Sequence, residues 1–230
     1  MVTGLADRMP VKGLSHPPFK NCAQALDTNF VVETGRPISV ARVMKRINAF
    51  IGDDTTVIAE TGDAIFAAAE LVMHHDVGFI GQAFYLSIGY ALPATLGAAL
   101  ADPNRRPVAL IGDGAFQMTA QELSSLCRRK TNAIIVLLNN DGYTTERMIH
   151  EGPYNDIQPW DYHKLPEVFG GGWGRRVSTE DEFDDALQHA SQSNEGPAFI
   201  EVMLDRFDTS DALKRLGAEL SPDKERSADG

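Results

Sequence analysis

Between Val108 and Gly142 the chain reads VALIGDGAFQMTAQELSSLCRRKTNAIIVLLNNDG, and this stretch restricts the possible fold more than any other. Val108 to Ile111 are four apolar residues in a row, the pattern of a strand buried on both faces of a parallel sheet. The run stops at Gly112-Asp113-Gly114, where a carboxylate stands between two residues free to adopt unusual backbone angles. A helical segment follows, with Phe116, Ala120, Leu123 and Cys127 on one stripe. Arg128, Arg129 and Lys130 close it, where cations suit the helix dipole. A second buried strand, Ile134 to Leu138, ends at Asn139-Asn140-Asp141-Gly142. Both polar clusters therefore fall at the carboxyl ends of parallel strands, where open α/β sheets bind ligands.

The side chains at these two tips are hard oxygen donors. The Asp113 carboxylate, the Asn140 side-chain carbonyl and a backbone carbonyl from the glycine-containing loop form a set suited to Mg²⁺ bridging two phosphates. Gly114 and the start of the next helix offer N–H groups to phosphate oxygens. Gly-Asp-Gly alone is most often a plain turn. A double asparagine after the next strand is what makes the pair informative.

Gly-Asp-Gly, a spacer of about 25 residues and Asn-Asn resemble the cofactor motif of thiamine diphosphate enzymes. The continuation NNDGYTTERMIHEGPYNDIQPWDYHKLPEVFG is similar to the 2-oxo acid decarboxylases, the pyruvate and indolepyruvate decarboxylase group, and so is the earlier VIAETGD. The likeness runs from about Arg36 to Arg206. It implies a three-layer α/β/α domain with a mostly parallel, doubly wound sheet, the pyrophosphate-binding domain of those enzymes, with thiamine diphosphate and Mg²⁺ as cofactors.

The resemblance also implies roles for individual residues. Asp113, Asn140 and the Gly142 carbonyl would hold the metal. Gly112, Asp113, Gly114, Ala115, Asn140, Gly142, Tyr143 and Thr144 would contact the cofactor, together with Thr61, Gly62 and Asp63. Asp63 stands at the start of a helix, so capping that helix and helping to hold the diphosphate are both open to it. Leu86, Ser87 and Ile88 match the segment that touches the aminopyrimidine ring. Ile88 would wedge beneath the cofactor, or else be a core residue at the head of a helix Ile88 to Leu100. Leu86 occupies the place where the family often has Gly, a departure that leaves its carbonyl available and crowds the site. Glu146 matches the catalytic carboxylate; without the surrounding motif a solvated helix Glu would be the better reading, and action as an acid near neutral pH requires burial to raise its pKa. Thr145 and Ile149 match the substrate pocket, and Thr145 is smaller and more polar than the Ile or Leu often found there.

At 230 residues with 43% hydrophobic content, the chain can bury one sizeable α/β core and carry tails. The segments expected are an extended arm over 1–35, the cofactor domain over 36–208, and a C-terminal helix and polar tail over 209–230. The arm carries Pro10, Pro17 and Pro18 without periodicity, and either stays disordered or docks on a partner. Net charge of −11 argues against nucleic acid or an anionic membrane as the main partner. Cys22 and Cys127 are too few for a disulfide scaffold. Without a membrane-length apolar run or a signal-peptide core, a cytoplasmic protein is expected.

The remaining elements follow from pattern. Helices are expected over Val40 to Ile51, Ala64 to Met73, Thr144 to His150 and Thr179 to Ala190, with another ending near Phe169. Strands are expected over Thr56 to Ala59, Gly78 to Gly81, Trp173 to Val177 and Ala198 to Met203. His74-His75 would end the second helix, where imidazolium suits the dipole; the decarboxylases' functional His pair belongs to a different domain. The glycines at 170, 171, 172 and 174 precede a strand instead of opening a helix, so they read as flexible chain and not as a phosphate loop.

Family members carry pyrimidine-binding, central and pyrophosphate-binding domains, and only the last is recognisable here. The chain is thus expected to be one subunit of a split enzyme or a piece of a longer protein. The reaction implied is decarboxylation of a 2-oxo acid to an aldehyde and CO₂ by a homo- or hetero-oligomer, with the pyrimidine-binding part supplied in trans or by a missing segment. Acetolactate-forming carboligation is the near alternative, which Glu146 in YTTERMIH disfavours, and a non-catalytic diphosphate-binding module is the distant one.

Overall fold

The computed structural model describes residues 29–73 and 76–220; the arm over residues 1–28, the His74-His75 pair and the tail over 221–230 lie outside them. The apolar runs become strands β1 (Thr55–Ala59), β2 (Gly78–Gly81), β3 (Arg106–Gly112), β4 (Ile134–Asn139), β5 (Trp173–Val177) and β6 (Ala198–Met203). They form one six-stranded sheet in the order β2-β1-β3-β4-β6-β5, and every pairing is parallel. Every residue of β1 and β4 is buried, whereas edge strand β2 alternates between partly buried and exposed positions.

The connecting helices are α1 (Val40–Asn48), α2 (Asp63–Ala68), α3 (Ala91–Ala101), α4 (Asp113–Thr119), α5 (Glu122–Arg129), α6 (Thr144–Ile149), α7 (Leu165–Val168), α8 (Glu180–Gln192) and α9 (Asp211–Leu220). Alternate strand residues feed two cores. Val57, Val108, Leu110, Val136 and Ile200 pack with α1, α2 and α8 on one face. Ile58, Ala109, Ile111, Ile135, Leu137 and Phe199 pack with α3, α4 and α5 on the other. Because side chains alternate across a strand, strands buried on both faces read as unbroken apolar runs.

Strand order fixes where a ligand can sit. From β1 the chain moves to the outer neighbour β2; from β3 it moves the other way, to β4. The crevice at this switch point opens beyond the carboxyl ends of β1 and β3. Among the described residues no helix is long and apolar enough to cross a membrane.

Several helices differ from the sequence expectation. The one expected from Ala64 to Met73 starts at Asp63 and ends at Ala68, because the Asn48 side chain draws the Val72 amide out of helical bonding at 2.6 Å. The helix expected from Ile88 starts at Ala91, since Gly89 takes φ +88 just before it. Phe116 and Leu123 lie on two helices, not one, with bonds of Leu123 N–H to Ala120 O and Ser124 N–H to Gln121 O bridging the break. Thr179 is the cap of α8 and not its first residue: with Glu182 it forms a reciprocal capping box.

Candidate cofactor and metal site

Three strand tips build the site. At the end of β3, Asp113 begins α4 and is 1% exposed. Its Oδ1 accepts from the Gly114 amide at 2.8 Å and its Oδ2 from the Gly142 amide at 2.9 Å. The second bond ties the β3 tip to the loop after β4. Burial pushes the Asp113 carboxyl up to about 7, against the opposing pull of the two amides and of the Arg147 guanidinium. The Gly114 amide, expected to face phosphate, is thus directed at Asp113.

The β4 loop is shaped to fit. Asp141 and Gly142 take φ values of +61 and +130. A methyl on Gly142 would lie 2.2 Å from the Asn155 carbonyl oxygen, so only glycine fits there. A methyl on Gly114 would meet the Tyr143 ring at 2.6 Å, which shows how closely that ring lies over the β3 turn. Asn140 is buried, and its backbone carbonyl accepts from Arg147 Nη1 at 2.9 Å. At the end of β4 itself, Asn139 donates through Nδ2 to Glu201 of the neighbouring β6 at 2.8 Å, and its Oδ1 accepts from the Asp141 amide at 3.3 Å.

The β1 tip contributes Glu60 to Asp63. Glu60 is fully buried and its two oxygens accept from the Thr61 and Ala91 amides, each at 2.8 Å, so it caps α3 across the crevice. Burial raises its pKa, opposed by those amides and by those of Tyr90 and Gly89. Asp63 does not cap its own helix, which has no side-chain cap bond. Its carboxylate instead accepts from the Ser210 amide, at 2.9 Å to Oδ2, and from the Ser210 hydroxyl at 2.5 Å. Ser210 in turn accepts from the Leu213 amide at 3.1 Å, which places α9 beside α2 and α6. Burial raises the Asp63 pKa and the Ser210 bonds oppose the rise.

These tips enclose a cavity of about 310 Å³. Thr61, Gly62, Asp63, Leu86, Ile88, Gly112, Asp113, Gly114, Ala115, Asn140, Gly142, Tyr143, Thr144, Thr145, Glu146 and Ile149 line it. Ser87 does not; its amide and hydroxyl turn to the Gln82 side chain at 3.3 and 3.4 Å. Leu86 adopts φ +55, the conformation that Gly takes without strain, with its side chain 51% exposed at the mouth. Ile88 is 42% exposed, so it is not a core residue of this chain. Glu146 is exposed as well, although it lines the cavity.

Sequence reasoning missed several participants. Phe66, Leu216 and Leu220 supply apolar lining opposite the strand tips. Two of these come from α9, whose stripe carries no sign of its destination. Arg147 was likewise indistinguishable from a solvated helix residue. Among the described residues, no group of three or more His, Cys, Asp or Glu side chains could hold a metal ion. The oxygens expected from the sequence are of another kind, one carboxylate, one side-chain amide and a backbone carbonyl, and Asp113, Asn140 and Gly142 all line the cavity.

The sequence pattern described as thiamine pyrophosphate enzyme, C-terminal TPP binding domain, matches residues 60–202. The chain belongs to this family. The thiamine pyrophosphate enzyme domain therefore spans all three strand tips that enclose the cavity. Among curated relatives, alpha-keto-acid decarboxylase of Mycobacterium avium (strain 104) is 41% identical over 224 residues, covering 95% of this chain and 39% of that protein. Pyruvate decarboxylase 4 of Arabidopsis thaliana is 40% identical over 192 residues, covering 81% of this chain and 32% of that protein. The chain thus spans between about a third and two fifths of the length of these relatives. Among solved structures, the thiamine diphosphate-dependent 4-hydroxybenzoylformate decarboxylase of Rhodococcus jostii RHA1 superposes with a TM-score of 0.69 at 28% identity, covering 79% of this chain and 35% of that one.

Proposed function

We propose that this chain is the thiamine diphosphate- and Mg²⁺-binding part of a non-oxidative 2-oxo acid decarboxylase, a lyase completed by a pyrimidine-binding domain from a partner or another segment. The observation that carries this is the convergence of Asp113, Asn140 and the Gly142 loop, joined by the Asp113–Gly142 hydrogen bond, on one cavity at the sheet's switch point. The residues fit the cofactor's charged end. A carboxylate that is 1% exposed calls for a compensating cation, and an all-oxygen set suits Mg²⁺. Asp113, the Asn140 side chain and the Gly142 carbonyl would hold the ion. Gly112, Gly114, Ala115, Tyr143 and Thr144 would surround the diphosphate from the β3 and β4 side, and Thr61, Gly62 and Asp63 from the β1 side.

When bound, thiamine diphosphate supplies the carbon nucleophile and electron sink for loss of CO₂. Leu86 and Ile88 would orient its ring end at the cavity mouth, with Ser87 between them turned to Gln82. Glu146, which lines the same cavity, would be the group that delivers and recovers a proton. Its exposure here leaves its burial to the pyrimidine-binding domain. Thr145 and Ile149, with Phe66, Leu216 and Leu220, line the cavity and would face the substrate's side chain. Their mainly hydrocarbon character suits a 2-oxo acid with an apolar substituent. We place this activity in a cytoplasmic oligomer.

The test has two stages. Calorimetric titration of thiamine diphosphate into the chain, together with its pyrimidine-binding partner, is expected to show uptake only with Mg²⁺ present. The assembly should then convert 2-oxo acids to equal amounts of aldehyde and CO₂, and Glu146→Gln should abolish that turnover while leaving uptake intact. Hydroxyketone as the sole product would favour carboligation, and uptake without turnover in any assembly would favour a binding module. Absence of magnesium-dependent uptake would end the proposal.

A further inference from the structure

Arg147 lies in the middle of α6, and its side chain is fully buried. An arginine is seldom placed so deeply, because desolvating the guanidinium costs several kcal/mol unless partners replace its water. Here three backbone carbonyls and two side-chain oxygens do so. Nη1 donates to the Asn140 carbonyl at 2.9 Å and to Thr144 Oγ1 at 3.2 Å. Nη2 donates to the Asp141 carbonyl, to the Asn155 carbonyl at 3.4 Å and to Asp156 Oδ1 at 3.1 Å. Nε has no hydrogen-bond partner. The side chain thus grips two successive peptide groups of the β4 loop and the segment packed over it.

That grip bears on the proposed metal ligands without touching them. With the Asn140 and Asp141 carbonyls held toward the guanidinium, the next amide, that of Gly142, points at Asp113 Oδ2. The Tyr143 amide meets the Asn155 carbonyl at 2.9 Å, so the same residue is clamped from both sides. Asp141 is held at φ +61, in the left-handed region that glycine adopts most readily. A planar fork with fixed donor directions can impose peptide orientations in a way that a lysine ammonium cannot.

We infer that Arg147 is the positioning residue of the metal and diphosphate loop: by fixing the Asn140 and Asp141 carbonyls it sets the backbone that carries the Asn140 side chain and aims the Gly142 amide at Asp113, without itself serving as a ligand of ion or cofactor. The inference rests on the proposed function above. It also implies that Asp156, which Arg147 shares with Arg206, belongs to the same assembly.

The experiment compares the full chain with Arg147→Met and Arg147→Lys, each with the pyrimidine-binding partner present. The readout is the Mg²⁺ concentration needed for half-maximal thiamine diphosphate uptake. Groups that orient metal ligands typically contribute 10–100-fold in affinity. Arg147→Met should raise the Mg²⁺ requirement at least tenfold, and Arg147→Lys should give an intermediate value, since it keeps charge and loses the fork. Asp184→Ala, which removes the 2.5 Å ion pair between α1 and α8, serves as a control for general loss of stability. In the cofactor-free chain, hydrogen exchange at the Gly142 and Tyr143 amides should quicken in both Arg147 variants and not in the control. If Arg147→Met does not fold, the lysine variant carries the comparison. An unchanged Mg²⁺ requirement, or one that shifts no more than in the control, overturns the role of Arg147 while leaving the cofactor site standing. Wild-type protein without any magnesium-dependent uptake overturns the functional reading and this inference with it.

Discussion

Asp113 and Gly142 are joined by a 2.9 Å hydrogen bond from the Gly142 amide to Asp113 Oδ2, across 29 residues of sequence. The bond registers the tips of two adjacent parallel strands against each other, so the geometry of the candidate metal site depends on the β3–β4 pairing as much as on the residues themselves.

Gly142→Ala should damage this link directly. A Cβ there would lie 2.2 Å from the Asn155 oxygen and 2.6 Å from Arg147 Nη2, at a φ of +130. Overpacking of this kind costs about 1–3 kcal/mol. Urea denaturation should show a loss of that size, and calorimetry should show weakened magnesium-dependent uptake of thiamine diphosphate. Wild-type behaviour in both would mean that the loop tolerates a side chain where the structure has no room.

Asp63→Ala should release α9 from the cavity rim. The substitution leaves the Ser210 hydroxyl and amide, which both donate to Asp63, without an acceptor. An unsatisfied buried donor costs about 1–3 kcal/mol. Faster hydrogen exchange over 211–220, with little change over β3 and β4, is the expected pattern; uniform exchange across the chain would contradict it.

Acid should loosen the segment before α1. Glu180 is fully buried from solvent and accepts from Arg42 Nε at 2.6 Å and from the Glu33 amide at 3.1 Å. Burial works against its charge, but the Arg42 and Glu33 bonds outweigh it and hold the carboxyl below its ordinary 4.5. A depressed folded pKa means the contribution is complete above pH 4.5 and lost as pH falls through the folded value. The melting temperature should therefore fall below pH 4.5, and Glu180→Gln should be less stable than wild type at pH 7 with a shallower fall in acid. Parallel pH curves for the two proteins would refute the assignment.

Phe116→Ala tests how far the second core supports α4. Phe116 is completely buried, with edge-on contacts to Tyr162 and Phe199 at centroid distances of 5.8 and 5.2 Å. Truncating such a ring costs about 3–5 kcal/mol. Because α4 begins at Asp113, cofactor uptake should weaken as well; a loss below about 1 kcal/mol would show that the site collapses around the gap.

Much of this was legible in the chain. Val108 to Ile111 and Ile134 to Leu138 announce doubly buried strands because a parallel sheet covered on both faces leaves no polar alternation. Asp113, Asn140 and Gly142 are identifiable because they stand where each run stops. The helix boundaries were less legible: α2 stops early because Asn48, from another helix, takes the Val72 amide, and α3 starts late because, after the turn at Gly89, Glu60 beyond the end of β1 takes the Ala91 amide. Those side chains are 24 and 31 residues from the amides they bind, beyond the reach of local periodicity.

The sequence by itself determined the order of strands and turns and the chemical character of the strand tips, since burial pattern and donor type are written residue by residue. Only the tertiary structure decided that Arg147 faces inward, that Asp63 meets Ser210 from 147 residues away, that α9 lines the cavity and that Glu146 stays exposed. The physical reason is that a polar side chain's role depends on which partner replaces its water. That partner is chosen by strand order and helix docking, not by neighbours in the chain.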